Sequence, residues 1–343
     1  MLSMIIVDNY HWTDASCVRD HEGMEKLTVD GVYAAAERLR PLLPPTPAWS
    51  YPVLDAAVGS RTIIKHENVQ PTGAFKVRGG LNLLATLSPA QRAAGLITVS
   101  TGNHAQSLAY AAGRAGVAAT IVMPRSTPFG KAEAVRAWGA RAVLEGSDMA
   151  QAAEFAVGLA AREGLHFVNP GNTPAIVYGH GTVYLELLQS HPEIETLYVP
   201  VGSGSGLAGA LLVRDALAPS VRVVGVQAEG ASAAYDSWRS GTVKTVEAHT
   251  FAAGLATGSG FELPQSVMRE RLDDFLLVSD DDLRHAMSLM ATAAHTLCEG
   301  AGAGGLAGAL ADASRPGVVG FACTGGNACA SEMAGLGSVA VGV

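Results

Sequence analysis

The succession of short apolar runs and helical patterns predicts an α/β protein with mostly parallel sheets covered by helices. Three observations carry that reading. Strand-like and helix-like segments alternate from Leu96 to Cys323, which is the trace that parallel strands and their crossover helices leave in a sequence. Glycine-rich turns stand at the ends of three of the strand-like runs, around Gly102, Gly204 and Gly325. The 343 residues, 48% hydrophobic and only 16% charged, suffice for a large core and for two such sheets.

The elements follow in order. From about residue 28 the pattern is helical, with Val32, Ala35, Ala36 and Leu39 on one face, until Pro41, Pro44 and Pro45 stop it. Thr46-Pro47 opens an extended segment toward Leu54, and residues 62–65 read as a strand. Runs at 96–100, 118–123 and 140–144 read as strands, each followed by a helix, at 104–115, 130–138 and 149–162. Strands at 196–201 and 221–227 flank a helix at 207–217. Residues 241–264 lack periodicity and contain Gly254, Gly258 and Gly260, the signature of a long loop on the surface or over a site. A strand at 275–278, a helix at 281–296 and a strand at 318–323 close the series. There are no heptads and no internal repeat. The chain stops soon after the last strand, so no appended regulatory domain is expected.

Composition excludes some functions. A net charge of -8 argues against nucleic acid or an anionic membrane as the main partner. No apolar run reaches the length of a membrane span. The N-terminal apolar patch, residues 1–7, is followed by Asp8 and has no basic residues before it, a poor secretion signal. Cys17, Cys298, Cys323 and Cys329 are scattered without a Cys-x-x-Cys pair. Core or free thiols in a reducing cytoplasm fit that spacing better than a disulfide framework.

The most informative stretch is Pro71-Thr72-Gly73-Ala74-Phe75-Lys76-Val77-Arg78-Gly79-Gly80. Lys76 lies between two apolar residues, after a turn and before a helical pattern, with Lys65, Glu67 and Arg78 nearby. A surface lysine at a helix start is the plain reading. The sharper one is a desolvated amine that forms a Schiff base with an aldehyde cofactor, because burial lowers a lysine's pKa and frees its lone pair.

The three turns are candidates for ligand contact, since parallel sheets bind ligands beyond the carboxyl ends of their strands. Ser100-Thr101-Gly102-Asn103-His104 offers free backbone N–H groups at a helix start, suited to a carboxylate. An ordinary cap by Thr101 or Asn103 is the alternative. Gly202-Ser203-Gly204-Ser205-Gly206 lets N–H groups converge and adds two hydroxyls, a phosphate cradle or a plain tight turn. No Gly-Lys-Ser/Thr follows it, and it lacks the dinucleotide spacing. Thr324, in Cys323-Thr324-Gly325-Gly326-Asn327, presents a hydroxyl at a strand end or caps the final helix. His66, His166, His249, His285 and His295 show no metal-ligand spacing.

Together these pieces resemble the fold-type II pyridoxal-phosphate enzymes, in particular the threonine/serine dehydratase and serine racemase group. The match runs from about Thr46 to Asn327 and keeps the family's order of motifs: the Lys76 stretch, Ser-Thr-Gly-Asn-His, the Gly/Ser loop, Glu299-Gly300-Ala301-Gly302-Ala303, then Thr-Gly-Gly-Asn. The resemblance implies a tryptophan synthase β-like architecture of two three-layer domains with parallel sheets. Residues 1–90 and 172–343 would form the large cofactor-binding domain and residues 91–171 the small one.

It also implies roles. Lys76 would carry pyridoxal 5'-phosphate as a Schiff base and serve as acid and base. Phe75 would pack on the ring, and Asn103 would bond its 3-oxygen. Gly202, Ser203, Gly204, Ser205 and Gly206 would hold the phosphate. Thr324 would face the ring nitrogen and leave it largely unprotonated, which weakens the electron sink and favours β-elimination. Ser100, Thr101, Gly102, Asn103 and His104 would clamp the substrate carboxylate. Glu299 and His180 are further candidates.

The implied reaction removes water and ammonia from a small β-hydroxy amino acid, L-threonine or L-serine by default, in a homodimer. Racemisation, elimination from a hydroxyaspartate or an ectoine-derived amino acid, and a catalytically idle relative are the alternatives. Some segments depart from the family. The Gly/Ser loop replaces a run of glycines and is closer to a branch resembling the hydroxyectoine-utilisation dehydratases. Asn169-Pro170-Gly171-Asn172 and Gly179-His180-Gly181-Thr182 stand for His-Pro-Phe-Asp and Gly-Gln-Gly-Thr. A mono- or divalent cation would draw on Glu229 and the carbonyl of Ala233, although Tyr235 stands where a carboxylate is expected.

Overall fold

The computed structural model describes residues 26–314, 317–334 and 336. Residues 1–7 and Cys17 lie outside them. Among the described residues there are ten strands: β1 Ala48–Trp49, β2 Thr62–His66, β3 Leu96–Val99, β4 Ala119–Met123, β5 Arg141–Leu144, β6 His166–Phe167, β7 Thr196–Pro200, β8 Arg222–Ala228, β9 Asp274–Val278 and β10 Val319–Cys323. They pair into two sheets, one in the order β1-β2-β10-β7-β8-β9 and one in the order β5-β4-β3-β6. All pairs are parallel except β1 with β2. Thr62–His66 and Val319–Cys323 are buried at every position, as strands covered on both faces must be. The chain therefore has the two parallel-sheet domains expected of it.

Each predicted strand is present, and the helices at Val29–Leu39, Asn103–Ala115, Phe129–Ala137, Met149–Glu163, Ser205–Leu217 and Asp280–Ala293 lie where periodicity placed them. The segment toward Leu54 differs from expectation. It is extended only at β1, and Pro52 then starts a helix, Pro52–Val58, because a proline's fixed φ suits the first helical position.

Several helices escaped periodicity, Pro89–Ala94, Ala233–Ser240 and Glu262–Arg271 among them, and two of those missed are central to the fold. Pro174–Ser190 and Gly300–Ala311 are buried around most of their circumference, so they carry no polar stripe for a 3.6-residue period to show. Their glycines are contact surfaces. A Cβ on Gly179 would come within 2.6 Å of the Arg78 carbonyl oxygen, and one on Gly209 within 2.6 Å of the Gly181 Cα. The helices Lys76–Thr86, Pro174–Ser190 and Ser205–Leu217 thus meet backbone to backbone and fix the start of the Lys76 helix against the large sheet.

Candidate active site

The three glycine-rich turns follow the carboxyl ends of β3, β7 and β10, and they open on one cavity of about 600 Å³. Phe75, Lys76, Ser100, Thr101, Gly102, Asn103, His104, Gly202, Ser203, Gly204, Ser205, Gly206, Glu299 and Thr324 all line it. The segment between Ser240 and Glu262 has neither helix nor strand, and its residues from Val246 to Ser259 contribute a wall. It is a loop over the site.

Lys76 is the first residue of the helix Lys76–Thr86. Its position is held from both directions. Phe75 N–H donates to the Thr324 carbonyl at 2.9 Å, Gly326 N–H donates to the Gly73 carbonyl at 2.8 Å, and Ala74 bridges Gly325. On the far side, Ser107 Oγ donates to the Lys76 carbonyl at 2.5 Å. The turn before the lysine is thereby tied to the turn after β10. Burial pulls the Lys76 amine down to about 8, against a smaller opposing pull from the Glu299 carboxylate. Its Nζ lies 5.0 Å from the centre of the Phe75 ring.

Arg78, two residues along and so on another side of the helix, explains most of the charge near Lys76 in the sequence. Its guanidinium forks onto Glu67 with two bonds of 2.8 Å and onto Glu186 at 2.6 and 2.9 Å, and it reaches Thr182 Oγ1 at 3.1 Å. Lys65 Nζ joins Glu186 at 2.6 Å and the Thr46 carbonyl at 2.7 Å. Two cations and two carboxylates make a neutral buried network beneath the Lys76 helix. The amine of Lys76 stands outside it, in the cavity. Glu186 gave no signal in the sequence, since its partners are more than a hundred residues away.

The helix Asn103–Ala115 starts at Gly102, and no side chain caps it. The capping alternative for Thr101 or Asn103 is therefore not realised, and the first-turn N–H groups are left for a ligand. Asn103 instead turns sideways. Its Nδ2 donates to Glu299 Oε1 at 2.5 Å, and its Oδ1 accepts from Asn327 Nδ2 at 2.8 Å. One Nδ2 proton remains free for a further acceptor. Burial pushes Glu299 up to about 7, despite the Asn103 bond that favours its charge. His104 is buried beside Thr98 and is held down to about 3 by burial and by the Lys76 charge. It is a neutral ring, so an anion at this turn is met by backbone rather than by an imidazolium.

The second turn also starts a helix without a side-chain cap. Gly204 is the N-cap of Ser205–Leu217 with φ +87, a conformation that glycine adopts without strain. A Cβ on Gly206 would meet the Phe75 ring at 3.3 Å, and one on Gly204 the Pro264 side chain at 2.9 Å. The backbone is therefore open toward the cavity and closed behind. Thr324 Oγ1 donates to the Ala301 carbonyl at 3.1 Å.

The structure separates other candidates from the cavity. His180 lies behind Phe75, with ring centres 4.6 Å apart, and does not line the cavity. Glu229 is exposed, and the Ala233 carbonyl accepts from Ser237 Oγ at 2.6 Å. Among the described residues no three His, Cys, Asp or Glu side chains gather as a metal site. Cys298 and Cys323 are buried free thiols and Cys329 an exposed one. Lys131 and Glu332, from helices far apart in sequence, and Asp148, which caps the helix Met149–Glu163, join the lining.

Comparison with known proteins agrees with this geometry. L-threonine ammonia-lyase of Thermotoga maritima is 35% identical over 83% of this chain and 71% of its own length. L-threo-3-hydroxyaspartate ammonia-lyase of Saccharomyces cerevisiae is 34% identical over 82% of this chain and 87% of its own. The structure of maize serine racemase superposes with a TM-score of 0.86 at 32% identity, covering 90% of this chain and 96% of that one. Residues 39–325 match the family described as pyridoxal-phosphate dependent enzyme, and with the lysine, the paired helix starts and the two parallel sheets in place, the chain belongs to that family.

Proposed function

We propose that this protein is a pyridoxal-phosphate-dependent ammonia-lyase that converts a small β-hydroxy amino acid, L-threonine or L-serine, to a 2-oxo acid and ammonia. One observation carries the reading. A lysine amine lowered to about 8 shares a cavity with two uncapped helix starts, one from each domain. An amine, a phosphate cradle and a second anion subsite are what this cofactor and an amino-acid carboxylate require.

The residues fit the group. Lys76 would hold its aldehyde, and Gly202, Ser203, Gly204, Ser205 and Gly206 its phosphate. The bare glycine backbone beneath the Phe75 ring leaves the room that a Cβ would fill. Asn103 would reach the ring's oxygen with its free Nδ2 proton. Thr324 would turn its hydroxyl from the Ala301 carbonyl to the ring nitrogen. When bound, the cofactor supplies an aldehyde that takes up amines and a conjugated ring that draws electrons from the substrate's Cα.

The protein supplies position and protons. Backbone N–H groups of the turn from Ser100 to His104 orient the substrate carboxylate. Lys76 Nζ takes the α-proton, and its lowered pKa leaves roughly a tenth of the amine unprotonated at neutral pH, far more than an ordinary lysine would have. Glu299, poised at about 7, can hold a proton in the same cavity. The loop from Val246 to Ser259 limits water. Racemisation would need a second proton carrier, and the Thr101 hydroxyl lines the cavity, so interconversion of enantiomers belongs in the same assay.

Hydroxyaspartate elimination is scored alongside. A homodimer in the cytoplasm is part of the proposal, with light scattering as the check on mass. The function is tested by reducing the protein with borohydride and locating the adduct by peptide mass. An adduct on Lys76, and ammonia with 2-oxo acid from L-threonine or L-serine that Lys76→Ala abolishes, is the expected result. An adduct elsewhere would overturn the assignment.

A further inference from the structure

His180 is buried and has no part in the steps above. Its Nδ1 lies 3.0 Å from Ser205 Oγ, and Ser205 Oγ lies 3.2 Å from Ser203 Oγ. Both serines line the cavity and His180 does not. A line of hydrogen bonds thus runs from the interior to the proposed phosphate subsite. The other ring nitrogen, Nε2, is buried without a hydrogen-bond partner. It presses on the helix start, where a Cβ on Gly79 would come within 2.5 Å of it. The Lys76 carbonyl lies nearby and accepts from Ser107 Oγ at 2.5 Å, and it makes no hydrogen bond of regular geometry with Nε2.

These contacts choose the tautomer. Burial, reinforced by the charge of Lys76, holds the ring's pKa well below its ordinary value, so the ring carries one proton. A buried N–H without an acceptor is costlier and rarer than an acceptor without a donor. The proton therefore belongs on Nδ1, where Ser205 Oγ can accept it. A serine hydroxyl has one proton to give. Once Ser205 accepts from the imidazole, its own O–H is free to point outward, at a helix N-terminus whose N–H groups also point to an anion.

We propose that His180 is a positioning residue for the phosphate subsite: its Nδ1–H fixes Ser205 as an acceptor, so that the linked hydroxyls of Ser205 and Ser203 turn one O–H outward as a hydrogen-bond donor to the cofactor's phosphate. This rests on the cofactor reading given above. It separates two anion subsites that look alike in outline. The turn at Gly102 opens its helix with backbone N–H groups, whereas the turn at Gly204 adds a hydroxyl pair whose direction is set from behind.

The test compares two aldehydes on the full-length protein freed of cofactor: pyridoxal 5'-phosphate and pyridoxal, which has the same ring and aldehyde but no phosphate. Dissociation constants are read by absorbance titration. His180→Leu should weaken pyridoxal phosphate by about tenfold, the worth of a hydrogen bond at the upper end of the usual range, and leave pyridoxal unchanged. Ser205→Gly should do the same, and the double variant should be no worse than Ser205→Gly alone. His180→Gln, whose amide can donate at the same place, should restore the affinity to within about twofold of the original.

Equal weakening of both aldehydes by His180→Leu, or additive losses in the double variant, would overturn the proposal, because a merely structural role under Phe75 predicts those results. If His180→Leu does not fold, Ser205→Gly and His180→Gln still decide it: a Ser205→Gly protein with an unchanged ratio of the two affinities overturns it, and a phosphate-specific loss that His180→Gln does not share supports it. A wild type that takes up neither aldehyde on Lys76 overturns the cofactor reading and this inference together, while binding of both with an unchanged ratio in the variants overturns this inference alone.

Discussion

Replacing Arg78 with methionine should unfold the protein far more readily than any surface change, and the size of the effect follows from what the guanidinium touches. Methionine fills a similar volume, so little cavity forms. What is lost is the guanidinium that forks onto Glu67, whose side chain is 0% exposed. In the native protein, burial acts to raise the Glu67 carboxyl, and Arg78, Thr46 and Lys65 together more than reverse it, leaving its pKa lowered. Removing one partner of a buried pair typically costs about 3–5 kcal/mol, because a charge is left behind without compensation. At roughly 2–3 °C per kcal/mol, Tm falls by about 6–15 °C.

The pH dependence gives a sharper check. A carboxyl with a lowered folded pKa contributes stability above its unfolded value and loses it as pH falls through the folded one. In Arg78→Met the folded pKa of Glu67 rises above the unfolded value instead. The variant then regains stability as pH falls from about 7 toward the ordinary carboxylate range. The deficit against wild type should therefore shrink on acidification, and Glu67→Gln in the Arg78→Met background should recover most of it at neutral pH. Urea unfolding at pH 8 and pH 5 reads both. A deficit below about 1 kcal/mol, or one equal at the two pH values, would refute the account of the network.

Three further outcomes are expected. In the cofactor-free protein, acylation of Lys76 followed by peptide mass should rise to half its limit near pH 8, whereas an ordinary lysine titrates near 10.5, because burial disfavours the ammonium; the reactive form is present above that pKa and lost below it. Thr324→Ala removes the donor to the Ala301 carbonyl and should lower cofactor affinity several-fold, about 1 kcal/mol, with a smaller change in Tm, both read on one preparation. Gly204→Ala places a Cβ at φ +87 and 2.9 Å from Pro264, and should cost about 1–3 kcal/mol of stability together with a marked loss of cofactor affinity, measured by melting and by absorbance titration.

Much of this protein is legible in its sequence. Strands such as β2, β3, β4 and β10 show because runs buried on two faces must be largely apolar, and the helices at Asn103–Ala115 and Met149–Glu163 show because one face of each is wet; β6, two residues long, left no such run. The lysine and the three turns show because only glycine and small hydroxyl residues let backbone N–H groups converge on an anion. Pro174–Ser190 and Gly300–Ala311 did not show, since helices buried on all sides have no period to read.

Long-range electrostatics also required the fold. Glu186 meets Arg78 across 108 positions, and nothing local marks it; Glu299 is marked by its motif, but that it meets Asn103 across 196 positions is not. Whether Lys76 is a solvated ammonium or an amine lowered to about 8 depends on the water around it, and tertiary packing decides that. The residue types, their order and the backbone freedom of the glycines were set by the chain itself. Which charges are paired, which are buried, and that Lys76 alone of its charged neighbours faces the cavity were set by the packing of the helix starts between the two sheets.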